Sequence, residues 1–210
     1  MAIRVVVDII GSKIAIARFQ LSIDSPLRIY VPIDRGAMKK VAVFGNTGGG
    51  KSTLSKNLAE LTGLPLYILD KIQYKSGGAK VPDAEYLQMH QQILDKDRWI
   101  IEGFGDLATL WPRLDRADTL VYIDLPIYVH FWLVTKRLAI GKFQPPAGWP
   151  ENTPLLKSSL TSYRTLWLCH QFMTPKYREY IERVKDTKTV YHLTSLDRVS
   201  QFLASMAIDR

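Results

Sequence analysis

Eight residues, Gly45-Asn46-Thr47-Gly48-Gly49-Gly50-Lys51-Ser52, carry the strongest chemical signal in the sequence. They fit G-x-x-x-x-G-K-[ST], with Gly45, Gly50, Lys51 and Ser52 in register between an apolar strand-like run and a helix-like one. Glycines remove the side chains that would keep phosphate away. Successive backbone N–H groups then curl around phosphate oxygens, and the N-terminus of the following helix adds its positive dipole end. Lys51 is expected to reach the terminal phosphates and the Ser52 hydroxyl to ligate magnesium. Residues Gly45 through Thr53 are the expected nucleotide contacts, and ATP with Mg2+ the expected cofactors.

Asp70 and Glu102 come next, because each closes an apolar run that reads as a parallel strand. Both should emerge at the carboxyl edge of the sheet, where ligands bind. Either could hold magnesium through water, and we assign that role to Glu102. Asp70 is expected to orient an attacking hydroxyl or take its proton. Arg137 lies beside Lys136, ahead of Lys142 and a loop with four prolines in twelve residues (143–154). A lid arginine closing over the transferred phosphoryl group is expected there, with a solvated helix end as the alternative. Arg164 and Arg178 are further lid candidates. Arg164 and Tyr74 are also expected near the substrate, while Asp124 reads as the residue that starts the next helix. His90, His130, His170 and His192 have no paired ligand spacing, and the tryptophans read as packing.

The elements that must position these residues alternate strand and helix from Met38, the pattern of a parallel sheet covered on both faces. Strands are expected at Lys40–Phe44, Leu64–Leu69 ending at Asp70, 99–103, Thr119–Asp124 and Thr187–Leu193. The helix after the phosphate-binding loop shares Leu54, Leu58 and Leu61 on one face and stops at Gly63. Residues 71–80 read as a polar loop, Asp83 as the start of a helix reaching Asp95, and Asp106–Leu114 as a short helix. Pro126 opens another helix to Gly141. Leu156, Leu160, Tyr163 and Trp167 recur as one buried stripe over 155–172; Thr174-Pro175 begins the next helix and Ser195 caps the last. Residues 3–20 read as two β runs joined at Gly11-Ser12, with a third at 27–31. We take 1–37 as a β-rich extension of unknown role and 38–210 as the catalytic domain, with a lid around 137–165. A start at Met38, with 1–37 as an upstream stretch, is the other reading.

Length and composition agree with one main core: 210 residues, 47% apolar. The formal charge of +8 suits a partner bearing phosphates, but does not choose between nucleotide and nucleic acid. One cysteine, Cys169, rules out an intrachain disulfide and a multi-cysteine zinc site. The most apolar stretch, 126–134, falls short of the ~20 residues of a membrane span. A cytoplasmic protein without a membrane partner is expected.

AVFGNTGGGKSTLSKNLAELTGLPLYILDKIQY, WIIEGFG, ADTLVYIDLP and the helix with Lys136-Arg137 together resemble the adenylate-kinase-related P-loop kinases. The likeness, over roughly 38–206, is greatest to the bacterial DNA topology modulation proteins. It implies a three-layer α/β P-loop fold with a five-stranded parallel sheet in order 2-3-1-4-5, ATP with magnesium, and a closing lid in which Arg137 matches the first lid arginine. Gly141 stands where those kinases carry the second lid arginine, and Lys142 could substitute. Their Asp-Gly-Phe-Pro-Arg phosphate clamp is here Glu102-Gly103-Phe104-Gly105-Asp106, which argues against AMP as acceptor. The expected activity is a nucleotide or small-molecule kinase, acting as monomer or homodimer on an unidentified acceptor. The alternatives are a nucleotide-dependent DNA-binding or topology-modulating protein, for which no nucleic-acid-binding signature is present, and an NTPase without kinase activity.

Overall fold

The computed structural model describes residues 6–8, 15–17, 38–75, 78–141 and 155–208. The chain divides into two units, Met1–Ile33 and Asp34–Arg210. In the first, β1 (Val6–Asp8) pairs antiparallel with β2 (Ala15–Ala17), Val7 facing Ile16. The expected turn at Gly11-Ser12 and the run at 27–31 lie outside the described residues.

The second unit is built on five parallel strands: β3 (Lys40–Gly45), β4 (Leu66–Ile68), β5 (Trp99–Glu102), β6 (Thr119–Ile123) and β7 (Thr189–Leu193). Their order across the sheet is β4-β5-β3-β6-β7, which is 2-3-1-4-5 counted along this unit. Gly45 at the end of β3 pairs with Ile123 at the end of β6, while Glu102 at the end of β5 pairs with Val43, two residues earlier along β3. Parallel strands buried on both faces need continuous apolar runs, and Val41–Phe44, Trp99–Ile101 and Leu120–Ile123 supply them, every residue buried.

Alternation then sends the two sets of side chains to opposite layers. Ala42, Phe44, Ile101, Leu120 and Tyr122 join one core with residues of α3 (Asp83–Leu94), α4 (Leu107–Arg116) and α7 (Thr174–Val184). On the opposite side α1 (Lys51–Thr62) packs against β3, β5 and α8 (Leu196–Ile208). The caps are local and legible. Gly63 ends α1 with φ 67°, Asp106 accepts from the Thr109 N–H at 2.8 Å, and the Arg198 N–H donates to Ser195 Oγ at 3.2 Å. Among the described residues no helix is long and apolar enough to cross a membrane.

Three expectations need correction. The second core strand is only Leu66–Ile68, and Leu69–Gln73 forms a short helix, α2. Asp70 therefore lies in a first helical turn rather than at a strand end. The chain turns because Leu69 and Gln73, four residues apart on one helical face, are both buried. The last strand starts at Thr189, since Lys185–Thr187 turn back on Val184. The stripe after the proline-rich loop does not run through Trp167, which is 49% exposed, but through the buried Leu166, Cys169 and Met173. α6 (Leu155–Leu168) passes through a π turn, Cys169–Met173, before α7. Pro175 has no N–H for an α-helical bond to Gln171, and the wider turn, with the Thr174 N–H donating to the Cys169 carbonyl, falls next to it.

Candidate active site

The glycine-rich loop is shaped at Gly45, Gly48 and Gly49 by contacts that leave no room for side chains. A Cβ on Gly45 would strike the Ile123 carbonyl on the paired strand. Gly48 has φ 73°, and a Cβ there would lie 2.5 Å from Val134 Cγ2. Beneath Gly49, where a Cβ would come 2.9 Å from His130 Cε1, the His130 ring fills the space. Burial, then the charge of Lys51, holds the His130 pKa down to about 4. The neutral ring donates Nδ1–H to the Thr47 carbonyl at 2.8 Å. Asn46 ties the same loop to α6, its Nδ2 donating to the Leu166 carbonyl at 3.0 Å and its Oδ1 accepting from the Thr47 N–H at 2.7 Å. Lys51 Nζ donates to the Asn46 carbonyl at 2.8 Å, which folds its side chain back along the loop.

Ser52 and Glu102 come together. The Ser52 hydroxyl donates to Glu102 Oε1 at 2.9 Å, while Oε2 is buried without a partner. Burial raises the Glu102 pKa, opposed by Lys51 and reinforced by Asp70. No group of three or more His, Cys, Asp or Glu side chains among the described residues could cage a metal ion. Magnesium tolerates that, because it keeps waters and takes phosphate oxygens with only one or two protein groups. The unpartnered Glu102 Oε2 and the Ser52 hydroxyl are hard oxygen donors of the kind that would suit Mg2+.

One cleft of about 720 Å3 collects these groups: Gly45, the loop from Thr47 through Thr53, Asp70, Glu102 and Arg137 all line it. Asp70 is open to the cleft, yet the cleft walls enclose it closely enough to raise its pKa by desolvation, against the lowering by Lys51 and Arg137. Arg137, in α5 (Ile127–Gly141), donates from Nη2 to Ser162 Oγ on α6 at 3.1 Å. The remainder of the expected lid, 142–154, lies outside the described residues. Tyr74 bridges to Lys80, and Arg164 is exposed on α6; neither lines the cleft. Arg178 turns away to Asp124, donating from Nε and Nη2 at 2.8 and 3.0 Å, and His192 Nε2 lies 2.9 Å from the same carboxylate.

Two features escape a reading of the sequence. Arg113 on α4 is fully buried, donates Nη2 to the Gly103 carbonyl at 2.8 Å, and leaves Nε and Nη1 without partners. It pins the turn that follows Glu102. The second is the cleft's apolar wall of Phe104, Leu133, Leu168, Cys169, Phe172 and Met173. A buried polar residue demands a partner, which could have singled out His130; nothing in the spacing of the wall residues, spread over three segments, announces that they meet.

No family model matches this chain, and no curated protein matches it. Among solved structures, shikimate kinase from Acinetobacter baumannii, in complex with shikimate, is similar over 80% of this chain and 90% of its own, at 17% identity and a TM-score of 0.51. Shikimate kinase from Bacteroides thetaiotaomicron is 17% identical over 80% of this chain and 96% of its own, with a TM-score of 0.46. A sugar kinase from a Janibacter species is 16% identical over 82% and 96%, with a TM-score of 0.43. With the strand order described above, the first of these likenesses shows the three-layer α/β fold of P-loop kinases.

Proposed function

We propose that this chain is an ATP-dependent phosphotransferase, moving the terminal phosphoryl group of ATP to an acceptor bound in the same cleft. The observation that carries this reading is the shared cleft itself, which the phosphate-binding loop lines together with Asp70 and Arg137. Phosphoryl transfer is chiefly positioning and charge neutralisation, so donor and acceptor must meet in one enclosed space. The backbone N–H groups of Gly48 to Lys51 hold the donor phosphates, and Lys51 leaves the Asn46 carbonyl to reach them. Ser52 and Glu102 would hold Mg2+, which when bound neutralises phosphate charge. Asp70 orients the acceptor hydroxyl and receives its proton, and a carboxylate with a raised pKa is better suited to that than an ordinary one. Arg137 steadies charge on the transferred group from the α5 side.

The fold of a structure named as a shikimate kinase supports a kinase reading without supplying the acceptor. The likeness to DNA topology modulation proteins rests on sequence alone. We place the activity in the cytoplasm, where ATP is available and the single buried Cys169 stays reduced. The test is incubation of the purified chain with ATP, Mg2+ and a broad panel of nucleotides and hydroxylated metabolites. Phosphorylated acceptor is expected; ATP hydrolysis stimulated by DNA, with no acceptor modified, would favour the nucleotide-dependent DNA-binding alternative instead.

A further inference from the structure

The cleft is lined by more than the glycine-rich loop and its charged neighbours. Phe104, Leu133, Leu168, Cys169, Phe172 and Met173 also line it, contributed by the turn after β5, by α5, and by the α6–π turn segment. Several of them remain open to water although large and apolar: Phe104 is 38% exposed, Leu168 42% and Phe172 62%. Contiguous exposed apolar surface of this kind, inside a cleft with a few convergent polar groups, marks a ligand site. The polar groups limit what the ligand can be. Among the described lining residues the cations are Lys51 and Arg137, and the anions are Asp70 and Glu102. The triphosphate donor engages both cations. An acceptor carrying its own phosphate or carboxylate would then meet two carboxylates and an apolar wall.

We infer that the acceptor is a neutral alcohol with a flat, apolar or aromatic body, laid against the Phe104–Phe172 wall with its hydroxyl on Asp70. This inference rests on the kinase reading and names its substrate class. The reaction is balanced by the donor alone. The acceptor oxygen forms a bond to the γ-phosphorus, the bond from that phosphorus to the β,γ-bridging oxygen breaks, ADP leaves, and the hydroxyl proton passes to Asp70 and then to water. Neutral nucleosides and aryl or prenyl alcohols share this chemistry. They differ in whether the flat body carries hydrogen-bonding edges.

The experiment uses the full chain with ATP and Mg2+ in four arms: neutral nucleosides, aryl and prenyl alcohols, nucleoside monophosphates, and hydroxy acids including shikimate. Products are read as new phosphate esters. Transfer in the first or second arm, whichever source it identifies, supports the inference. Phe172→Ala, at an exposed position that spares the core, should then raise the acceptor KM about tenfold through lost apolar contact, with a smaller change in kcat. An equal rise in the KM for ATP would put Phe172 on the donor side and overturn the assignment. Transfer to monophosphates or hydroxy acids with both neutral arms silent would overturn the acceptor class and leave the kinase reading standing. Silence in every arm would overturn both.

Discussion

Lys51 and His130 stand differently toward the glycine-rich loop: one lies along it and the other fills the space beneath it. Lys51 makes its one described hydrogen bond within the loop, to the Asn46 carbonyl, and is part-buried rather than a core residue. Lys51→Ala is therefore expected to leave the melting temperature nearly unchanged while lowering transfer by about a hundredfold or more, since a phosphate clamp acts on the transition state. His130 is different, because it is packed beneath Gly49 and bonded to Thr47. The folded ring binds a proton only near pH 4, against 6.5 when exposed, and His90, also buried, behaves alike. Between those values the unfolded chain binds more protons than the folded one. Stability from both rings is thus complete above pH 6.5 and is lost progressively as pH falls toward 4. Denaturant melts across that window should show the decline, and His130→Gln should make it shallower. A profile that is flat from 6.5 to 4 would contradict the buried, neutral ring.

At the scale of elements, the start of α4 and the body of α7 are fixed by named polar contacts. Asp106 and Thr109 form a reciprocal cap at the start of α4, so Asp106→Ala should cost about 1 kcal/mol in chemical denaturation. α7 is clasped to the end of β6 through Asp124, whose side chain is 5% exposed. Burial alone would raise the Asp124 pKa, but hydrogen bonds from His192 and Arg178 outweigh it and hold the carboxyl at about 2. Its stabilisation is present above pH 3.8 and lost as pH falls through about 2. Arg178 is 58% exposed, so solvent screens part of its effect, and Arg178→Ala is expected to cost about 1–2 kcal/mol. Asp124 shows why sequence alone stops short: its place before Leu-Pro marks a helix start, but its partners lie 54 and 68 residues away. Gly63, Asp106 and Ser195 are legible because a cap is decided within a few residues. Asp70 is not, because Leu-Asp-Lys-Ile-Gln turns into α2 only once Leu69 finds the core under Gly103.

For the whole molecule, the layered order of strands and helices can be read from apolar periodicity, since a parallel sheet buried on both faces writes itself into continuous runs such as Val41–Phe44 and Leu120–Ile123. The glycine-rich loop is equally legible, being a local motif between a strand and a helix. The apolar wall of the cleft is not, because Phe104, Leu133 and Phe172 are brought together only by the packing of distant segments. Arg113 shares that fate, as no local pattern distinguishes a buried guanidinium from an exposed one on α4. Everything proposed for the activity turns on one cleft holding both donor and acceptor, with Asp70 as the group that handles the acceptor hydroxyl. The decisive experiment follows the labelled γ-phosphate of ATP in the acceptor panel, comparing the unaltered chain with Asp70→Asn. Label should appear on an acceptor with the unaltered chain, and that transfer should fall by about a hundredfold or more with Asp70→Asn while ATP binding persists. Label found only as inorganic phosphate, or transfer undiminished by the substitution, would refute the shared cleft and the role of Asp70.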